Sequence, residues 1–516
     1  MMELKQFIPS TWITLIASVL VLFVIYVNRK FQYWKRQGIQ CSVNGIWSFL
    51  LELSEVLKKS THFIDLEYYK KYGRVHGRFL GNKPMICIAE PHILKNIFVK
   101  DFNTFHNRVK VETGNQLFDK SMFFTEDDDW KRIRCIVSPT FSSGKMRKMA
   151  YLVKECAEKF SENLKKIADE NENNCIDCKR YMNCFTIDVM ASAAFGTKLC
   201  CLEDPNNEFL TMARKATNRD ISFSEMILFL FPILTKLIKV KSIDESFSYY
   251  KNFILHVINQ REKEKMKAYD FLQLLLDAQK GVLEISPEEA KEEEMSNFKI
   301  LPKHKTMNSV EMMAQCTGFL FAGSETTTNT LAFFLYHMAL YPEYQDKLIE
   351  EVDKIWKTND EMNFDVLNKM QYMDAVINET MRITPPLVQL FRECTEDYEL
   401  PEIGIKIPKG MNIVVPIYAM HHDKKFFPNP EKFDPDRFLP ENRSSIIPFT
   451  YLPFGEGPRN CIGMRFALMV IKMCLVYIFR DLRVEATEET KLPLEYFAGQ
   501  GILHPKKVMI KFEKRK

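Results

Sequence analysis

A mostly α-helical fold with a smaller β-rich part, preceded by an N-terminal membrane anchor, is what the sequence of this 516-residue chain predicts. Three observations carry that prediction. The first is a stretch of 21 uncharged residues from Phe7 to Val27; about 20 apolar residues span the hydrocarbon core of a bilayer. The second is a mostly helical pattern from about residue 130 to 280, followed by a long helix from about Met307 to Leu340. The third is the fading of that period beyond Leu390, where short apolar runs are broken by Pro401, Pro408, Pro416, Pro428, Pro430 and Pro435.

The anchor comes first in chain order. Trp12, Tyr26, Tyr33 and Trp34 lie near the ends of the apolar stretch, where amphipathic rings favour the membrane interface. Arg29, Lys30, Lys35 and Arg36 follow it, against Lys5 before it, so the positive-inside bias puts the rest of the chain in the cytosol. A cleaved signal peptide is the alternative. Its apolar region would be shorter, and a small-residue cleavage site would stand where this chain has Arg-Lys-Phe-Gln-Tyr-Trp. No Arg- and Ser-rich amphipathic leader argues for mitochondrial import.

The remaining elements follow from local signals. Gly77 to Ile88 reads as a short hairpin turning at Gly81-Asn82. Glu126 to Asp129 supply an acidic helix start before Trp130. Met226 to Val240 is too short, and too interrupted by Pro232, to span a membrane; a core helix and a second, shallow membrane contact both fit it. Glu288 to Glu294 reads as a solvated loop. Asn308 with Glu311 offers a capping box for the long helix, and Pro342 starts the next one. A last helix covers about Met464 to Arg480, and Val508 to Phe512 is strand-like.

Composition excludes some functions. At 46% hydrophobic and 27% charged, the chain has ample material for a large core. A net charge of +4, without a long basic run, argues against a nucleic-acid partner. Thirteen cysteines, an odd number without a secreted framework's spacing, indicate a reducing compartment. Cys175 and Cys178, with Cys200 and Cys201, approach zinc-ligand spacing, but the second pair is adjacent, which favours buried free thiols.

The densest chemical signal is Phe454-Gly455-Glu456-Gly457-Pro458-Arg459-Asn460-Cys461-Ile462-Gly463, leading into the last helix. Two glycines and a proline make a tight turn that can aim backbone N–H groups at the sulfur. Such donors, and the positive end of a helix starting just beyond, stabilise a thiolate. Gly463 removes a side chain where something large and flat could approach.

This segment resembles the haem-ligand loop of the cytochrome P450 superfamily. The resemblance runs from about Trp34 to the C-terminus and is most specific between Met307 and Pro505. Within the superfamily it is similar to the microsomal, drug- and toxin-oxidising group of vertebrates and arthropods. It implies the haem-thiolate fold, with residues 1–28 as the membrane anchor, 29–60 as a linker and 61–516 as the catalytic domain. It also implies haem b, with Cys461 as the axial ligand to iron and Phe454 in the cofactor loop.

Other motifs follow in the family's order. Glu379 and Arg382, three apart on a helix, share a face; with Arg437 of Pro435-Asp436-Arg437-Phe438 they are the family's structural clamp behind the cysteine loop. In the long helix Phe319, Ala322, Gly323 and Thr326 share a face, with small residues leaving room above a flat cofactor. Oxygen activation needs protons, and the resemblance assigns their delivery to an acid and an alcohol, Glu325 and Thr326. It assigns the haem propionates to Arg108, Trp130, Arg134, Arg392 and Arg459, and substrate contacts to Phe118, Phe123, Ala322, Leu387, Val388 and Ile502.

The implied reaction is insertion of one oxygen atom from O2 into a lipophilic xenobiotic, steroid or fatty-acid-like substrate. Electrons come from NADPH through NADPH–cytochrome P450 reductase, with cytochrome b5 as a further candidate partner. Thiolate ligation favours O–O cleavage. The implied location is the endoplasmic reticulum membrane, catalytic domain cytosolic. Lys131, Arg132, Lys145, Arg147 and Lys148 form a candidate docking patch for an acidic flavoprotein. Two alternatives compete: an isomerase or dehydratase on the same fold acting on peroxides without O2, and a non-catalytic haem-binding sensor. The intact Glu325-Thr326 pair and the regular cysteine loop favour the monooxygenase. One departure stands out: the family's proline-rich hinge after the anchor is replaced by Gly38-Ile39-Gln40-Cys41-Ser42, and no proline occurs between Pro9 and Pro84.

Overall fold

The structure is a computed structural model and describes residues 10–111, 113–170, 175–217, 241–265, 268–282, 306–359 and 361–515. The segments Met226–Val240 and Glu288–Glu294 lie outside the described residues. The fold is mostly helical, as expected, with nine strands among the described residues: β1 Val75–Leu80, β2 Lys83–Ile88, β3 Cys175–Asp177, β4 Leu390–Glu393, β5 Tyr398–Leu400, β6 Ile405–Ile407, β7 Asn412–Val415, β8 Leu482–Glu485 and β9 Met509–Lys514.

The first helix, Ser10–Phe31, contains a segment, Thr14–Phe31, long and apolar enough to cross a membrane. Leu15, Ile16, Val19, Leu22 and Phe23 along it are exposed. Trp34, read from the sequence as an interfacial ring, is instead fully buried in a core cluster with Phe31, Cys41, Val43 and the β1–β2 hairpin. Its Nε1 donates to the carbonyl of Arg78 at 2.9 Å, so the indole is apolar and satisfied at once. Gly77 makes the room: a Cβ there would come within 2.3 Å of the Trp34 ring. Gln40 and Gly77 are joined by a backbone bond of 2.8 Å, which extends the contact without a proline hinge.

The β1–β2 hairpin turns at Gly81 and Asn82, with Leu80 opposite Lys83. β7 lies parallel to β2 and antiparallel to β4, giving a four-stranded sheet in the order β1-β2-β7-β4. A second sheet has the order β3-β9-β8. β3 interrupts the region read as mostly helical. Its three residues pair with β9, some 330 positions away, and carry no local signal. β5 and β6 form a small hairpin.

The long helix, Ser309–Leu340, starts at the expected capping box: Glu311 N donates to Asn308 Oδ1 at 2.9 Å and Asn308 N to Glu311 Oε2 at 3.0 Å. Pro342 opens the Pro342–Thr358 helix at a position needing no N–H donor. The long helix runs through the main core, against the Cys178–Phe195 helix on one side and the Met464–Asp481 helix on another. Cys178 is buried against the Ala332 carbonyl. Of the four cysteines with zinc-like spacing, Cys178 and Cys201 are buried, whereas Cys175 and Cys200 are half-buried.

Candidate functional site

The segment Phe454–Gly463 forms a tight loop immediately before the Met464–Asp481 helix. Gly455 N donates to Leu452 O at 3.1 Å, Asn460 N to Gly457 O at 3.0 Å, and Cys461 N to Phe454 O at 2.8 Å. Gly455 and Gly457 adopt left-handed φ values of 69° and 76°. At Gly457 a Cβ would fall 2.0 Å from the carbonyl oxygen of Phe98. Of the thirteen cysteines, only Cys461 is exposed. Burial by the surrounding protein pushes the thiol up; the Gly463 N–H, Arg134 and Arg108 act in the opposite direction.

Four arginines converge around this loop. Arg459 donates to the carbonyls of His106, at 2.7 Å, and Thr125, with its guanidinium 4.7 Å from the Trp130 ring centroid. Arg108 donates to the Arg459 carbonyl at 3.0 Å. Arg134 reaches Asn460 O and Oδ1 at 3.0 and 2.9 Å. Arg392, on β4, is buried over the Phe98 ring at 4.8 Å. No ion pair joins any of the four to an acid among the described residues. Burial, and then their mutual repulsion, holds Arg108 down to about 10, Arg392 to about 9 and Arg459 to about 7. Burial alone brings Arg134 to about 10. The buried Nε atoms of Arg392 and Arg459 have no hydrogen-bond partner. Gathering four cations, with only Glu126 acting on Arg459 from outside ion-pair distance, is costly; a group with two carboxylates, such as haem with its propionates, fits this donor set.

The clamp residues are together. Arg382 donates from Nε and a terminal nitrogen to the two Glu379 oxygens at 2.7 and 2.8 Å, and Arg437 Nε lies 3.6 Å from Glu379 Oε1. Glu379 and Arg382 are fully buried. Arg382 also donates to the His421 carbonyl at 2.9 Å, and His421 Nε2 accepts from Leu452 N at 3.0 Å. A route of polar contacts therefore runs from the clamp to the cysteine loop. His421 was not legible as part of it, because a lone histidine carries no motif.

On the long helix, Ala322 is exposed and Thr326, one turn on, half-exposed, in an element otherwise mostly buried. Thr326 Oγ1 donates to Ala322 O at 2.6 Å. The shared face read from the sequence splits. Phe319 stacks on Phe271, with ring centroids 4.4 Å apart, and also meets Phe141 and Phe466. Gly323 backs onto Met190, which a Cβ would approach within 2.6 Å. These two serve packing, because both sides of that face meet other helices. Glu325 is buried and lies 2.6 Å from Nε2 of His504, a residue sequence reasoning missed for the same reason as His421.

The apolar residues assigned to substrate fall into two groups. Phe118 stacks on Phe124 at 4.3 Å, and Phe123, exposed, carries the Arg108 guanidinium 4.1 Å from its ring centroid. Leu387 pairs with Ile502 in an antiparallel bridge, and Val388 N donates to Gly501 O at 3.1 Å. Leu387 and Ile502 are half-buried, whereas the Val388 side chain belongs to the core. Of the basic patch, Arg132 is not a free surface charge: it is paired with Asp129 and with Glu311, at 2.8 and 2.7 Å. The acidic cap of the long helix draws it in.

The family model for Cytochrome P450 matches residues 43–512. Cytochrome P450 3A11 of Mus musculus is 34% identical over 522 residues, covering 97% of this chain and 96% of the mouse protein. Cytochrome P450 3A2 of Rattus norvegicus is 35% identical over 509 residues, with the same coverage. Cytochrome P450 3A5 of Homo sapiens is 33% identical over 529 residues, covering 98% of this chain and 97% of the human protein. With its helical fold, its exposed cysteine and its unmatched arginines, the chain belongs to the cytochrome P450 family, and is a monooxygenase that works through haem b with a cysteine thiolate on the iron.

Proposed function

We propose that Cys461 is the thiolate ligand and that the enzyme inserts one atom of O2 into lipophilic organic substrates, taking electrons from NADPH through NADPH–cytochrome P450 reductase, with cytochrome b5 as a second donor. The observation that carries the site assignment is the convergence of Arg108, Arg134, Arg392 and Arg459, without acidic partners among the described residues, around the only exposed cysteine. Bound there, haem supplies the iron at which dioxygen is activated. Arg108, Trp130, Arg134, Arg392 and Arg459 would hold its propionates, and the loop from Phe454 would hold its ligand side. The clamp of Glu379, Arg382 and Arg437 keeps the loop's approach fixed through His421 and Leu452. Thr326 and Glu325 hand protons in from the long helix, the hydroxyl from the half-open face and the carboxylate from behind it. Phe118, Phe123, Ala322, Leu387 and Ile502 offer apolar contacts suited to a lipophilic guest, with Val388 packed in the core behind Leu387. The apolar Thr14–Phe31 helix supports anchoring in the endoplasmic reticulum membrane, with the following Arg29 and Lys30 favouring a cytosolic catalytic domain.

The test is Cys461→Ala. The variant should lose the red-shifted absorbance band of the ferrous thiolate–carbonyl complex together with turnover. A variant keeping both would move the ligand elsewhere.

A further inference from the structure

The acid of the proposed proton relay has a partner from a distant loop. The Glu325 side chain is 3% exposed and that of His504 1%, with Oε1 and Nε2 2.6 Å apart. The histidine is fixed on its other side: Nδ1 lies 3.3 Å from Gln500 Oε1, and the ring meets Phe497 edge-on at 5.2 Å. The backbone is fixed too, since Phe497 N donates to the His504 carbonyl at 3.0 Å. Lys179, buried on the Cys178–Phe195 helix, donates to the Pro505 carbonyl at 2.8 Å and is near enough to Glu325 for the two charges to interact. A carboxylate this deep turns toward whatever cation or donor is offered, because an unpartnered buried charge is strongly unfavourable. At 2.6 Å, His504 is therefore one of the groups that set where the carboxylate points.

The same loop touches the substrate wall. Ile502, two residues before His504, is bridged to Leu387; Gly501 O accepts from Val388 N, and Leu503 N donates to Pro386 O at 2.9 Å. Anything pressing on Leu387 and Ile502 presses on the segment that holds His504.

We propose that His504 is a positioning residue that holds the Glu325 carboxylate for proton delivery, and that the Gln500–Pro505 loop couples occupancy of the wall at Leu387 and Ile502 to that delivery. The proposal rests on the reading of Glu325 and Thr326 as the relay. His504 itself touches neither the reacting oxygen nor the haem; it acts through Glu325.

The experiment compares the wild-type holoenzyme with four single variants, His504→Phe, His504→Gln, Glu325→Gln and Thr326→Ala, and with the His504→Phe/Glu325→Gln double variant. Each is reconstituted with reductase and given testosterone as a lipophilic probe. Hydrogen peroxide released per NADPH consumed is the first readout. His504→Phe should raise it about threefold or more, as Glu325→Gln does, while His504→Gln, which keeps a donor, stays within about twofold of wild type. The second readout, the Tm of the ferric proteins, needs no turnover: the losses in His504→Phe and Glu325→Gln should sum to more than the loss in the double variant, as for residues in contact. If Glu325→Gln and Thr326→Ala uncouple but His504→Phe does not, the role of His504 is overturned and the relay stands. If none of the four changes peroxide release, the relay reading itself falls. A lowered Tm in His504→Phe with unchanged peroxide, or additive Tm losses, would reduce the contact to packing and overturn the proposal.

Discussion

Replacing Gly457 with alanine tests whether the cysteine loop is held to the accuracy that iron ligation demands. At φ 76° a Cβ costs about 1–2 kcal/mol in the left-handed region. The Cβ would also stand 2.0 Å from the Phe98 carbonyl oxygen and 3.0 Å from its carbon. That backbone cannot swing aside as a side chain can: Phe98 is fully buried, in the short helical turn Asn96–Lys100, beneath Arg392. Relieving the overlap adds about 1–3 kcal/mol, and moving the loop by even about 0.5 Å spoils a site of this kind. Gly455 is the matched control. Its φ is 69°, so the strain is the same, yet its Cβ would meet the Leu390 methyls at 3.5 and 3.9 Å and the Asn460 Cα at 3.9 Å, all ordinary contacts. Gly455→Ala should therefore cost about 1–2 kcal/mol and Gly457→Ala about 2–5 kcal/mol, the larger cost falling on the ligand loop. Haem per protein and the ferrous–carbonyl difference spectrum are the assay. Gly455→Ala should keep most of both, and Gly457→Ala should lose most of both. Equal retention, or equal loss, would refute the argument from the Phe98 contact.

Thr326→Ala should keep haem and substrate binding but raise peroxide release per NADPH; unchanged yield would return Thr326 to packing. His337 is buried, stacked on Phe433 with centroids 4.5 Å apart, and burial followed by the Arg382 charge holds it neutral, down to about 3. Because its folded value lies below the unfolded value of about 6.5, the stability it allows is intact above that pH and falls as pH drops toward 3, reaching a loss of about 2 kcal/mol by pH 5. His337→Phe should accordingly shrink the drop in Tm between pH 8 and pH 5, and an unchanged drop would contradict the assignment. Lys131 pairs with the exposed Asp128 at 3.6 Å and Arg147 with the exposed Asp365 at 3.1 Å, contacts worth about 0–1 kcal/mol. Reversing both to Glu should slow reductase-supported turnover, most at low salt, and leave peroxide-supported turnover nearly intact; equal losses in both would point to damaged haem packing.

What was legible in the sequence was what local chemistry decides. The Asn308–Glu311 cap, the Gly81-Asn82 turn and the start at Pro342 each depend on a few neighbouring residues, and each stands where the sequence put it. β3 did not show, because three residues become a strand only when β9 arrives to pair with them. Trp34 was misplaced because an indole suits a bilayer interface and a satisfied core equally well; the deciding fact, a missing Cβ at Gly77, lies 43 positions away. The arginines came from resemblance rather than spacing. Their lack of acidic partners, which makes them an anion site, emerges only when Arg108, Arg134, Arg392 and Arg459 are seen side by side. Arg132, written with the same letter, goes to Glu311 instead.

The plug formed by Trp34 also makes the first helix a lever. Ser10–Phe31 extends roughly 33 Å from a fulcrum at the indole, so a tilt of about 10° there would sweep its far end through roughly 6 Å. A second fastening, Ile46 N donating to Asn28 Oδ1 at 2.9 Å, sits beside the fulcrum and resists such rotation. In place of a proline-stiffened linker, the buried indole and the Asn28 bond set the direction of the helix relative to the rest of the protein. Any change in the direction of the helix would reach the four-stranded sheet through the Trp34 ring packed at Gly77.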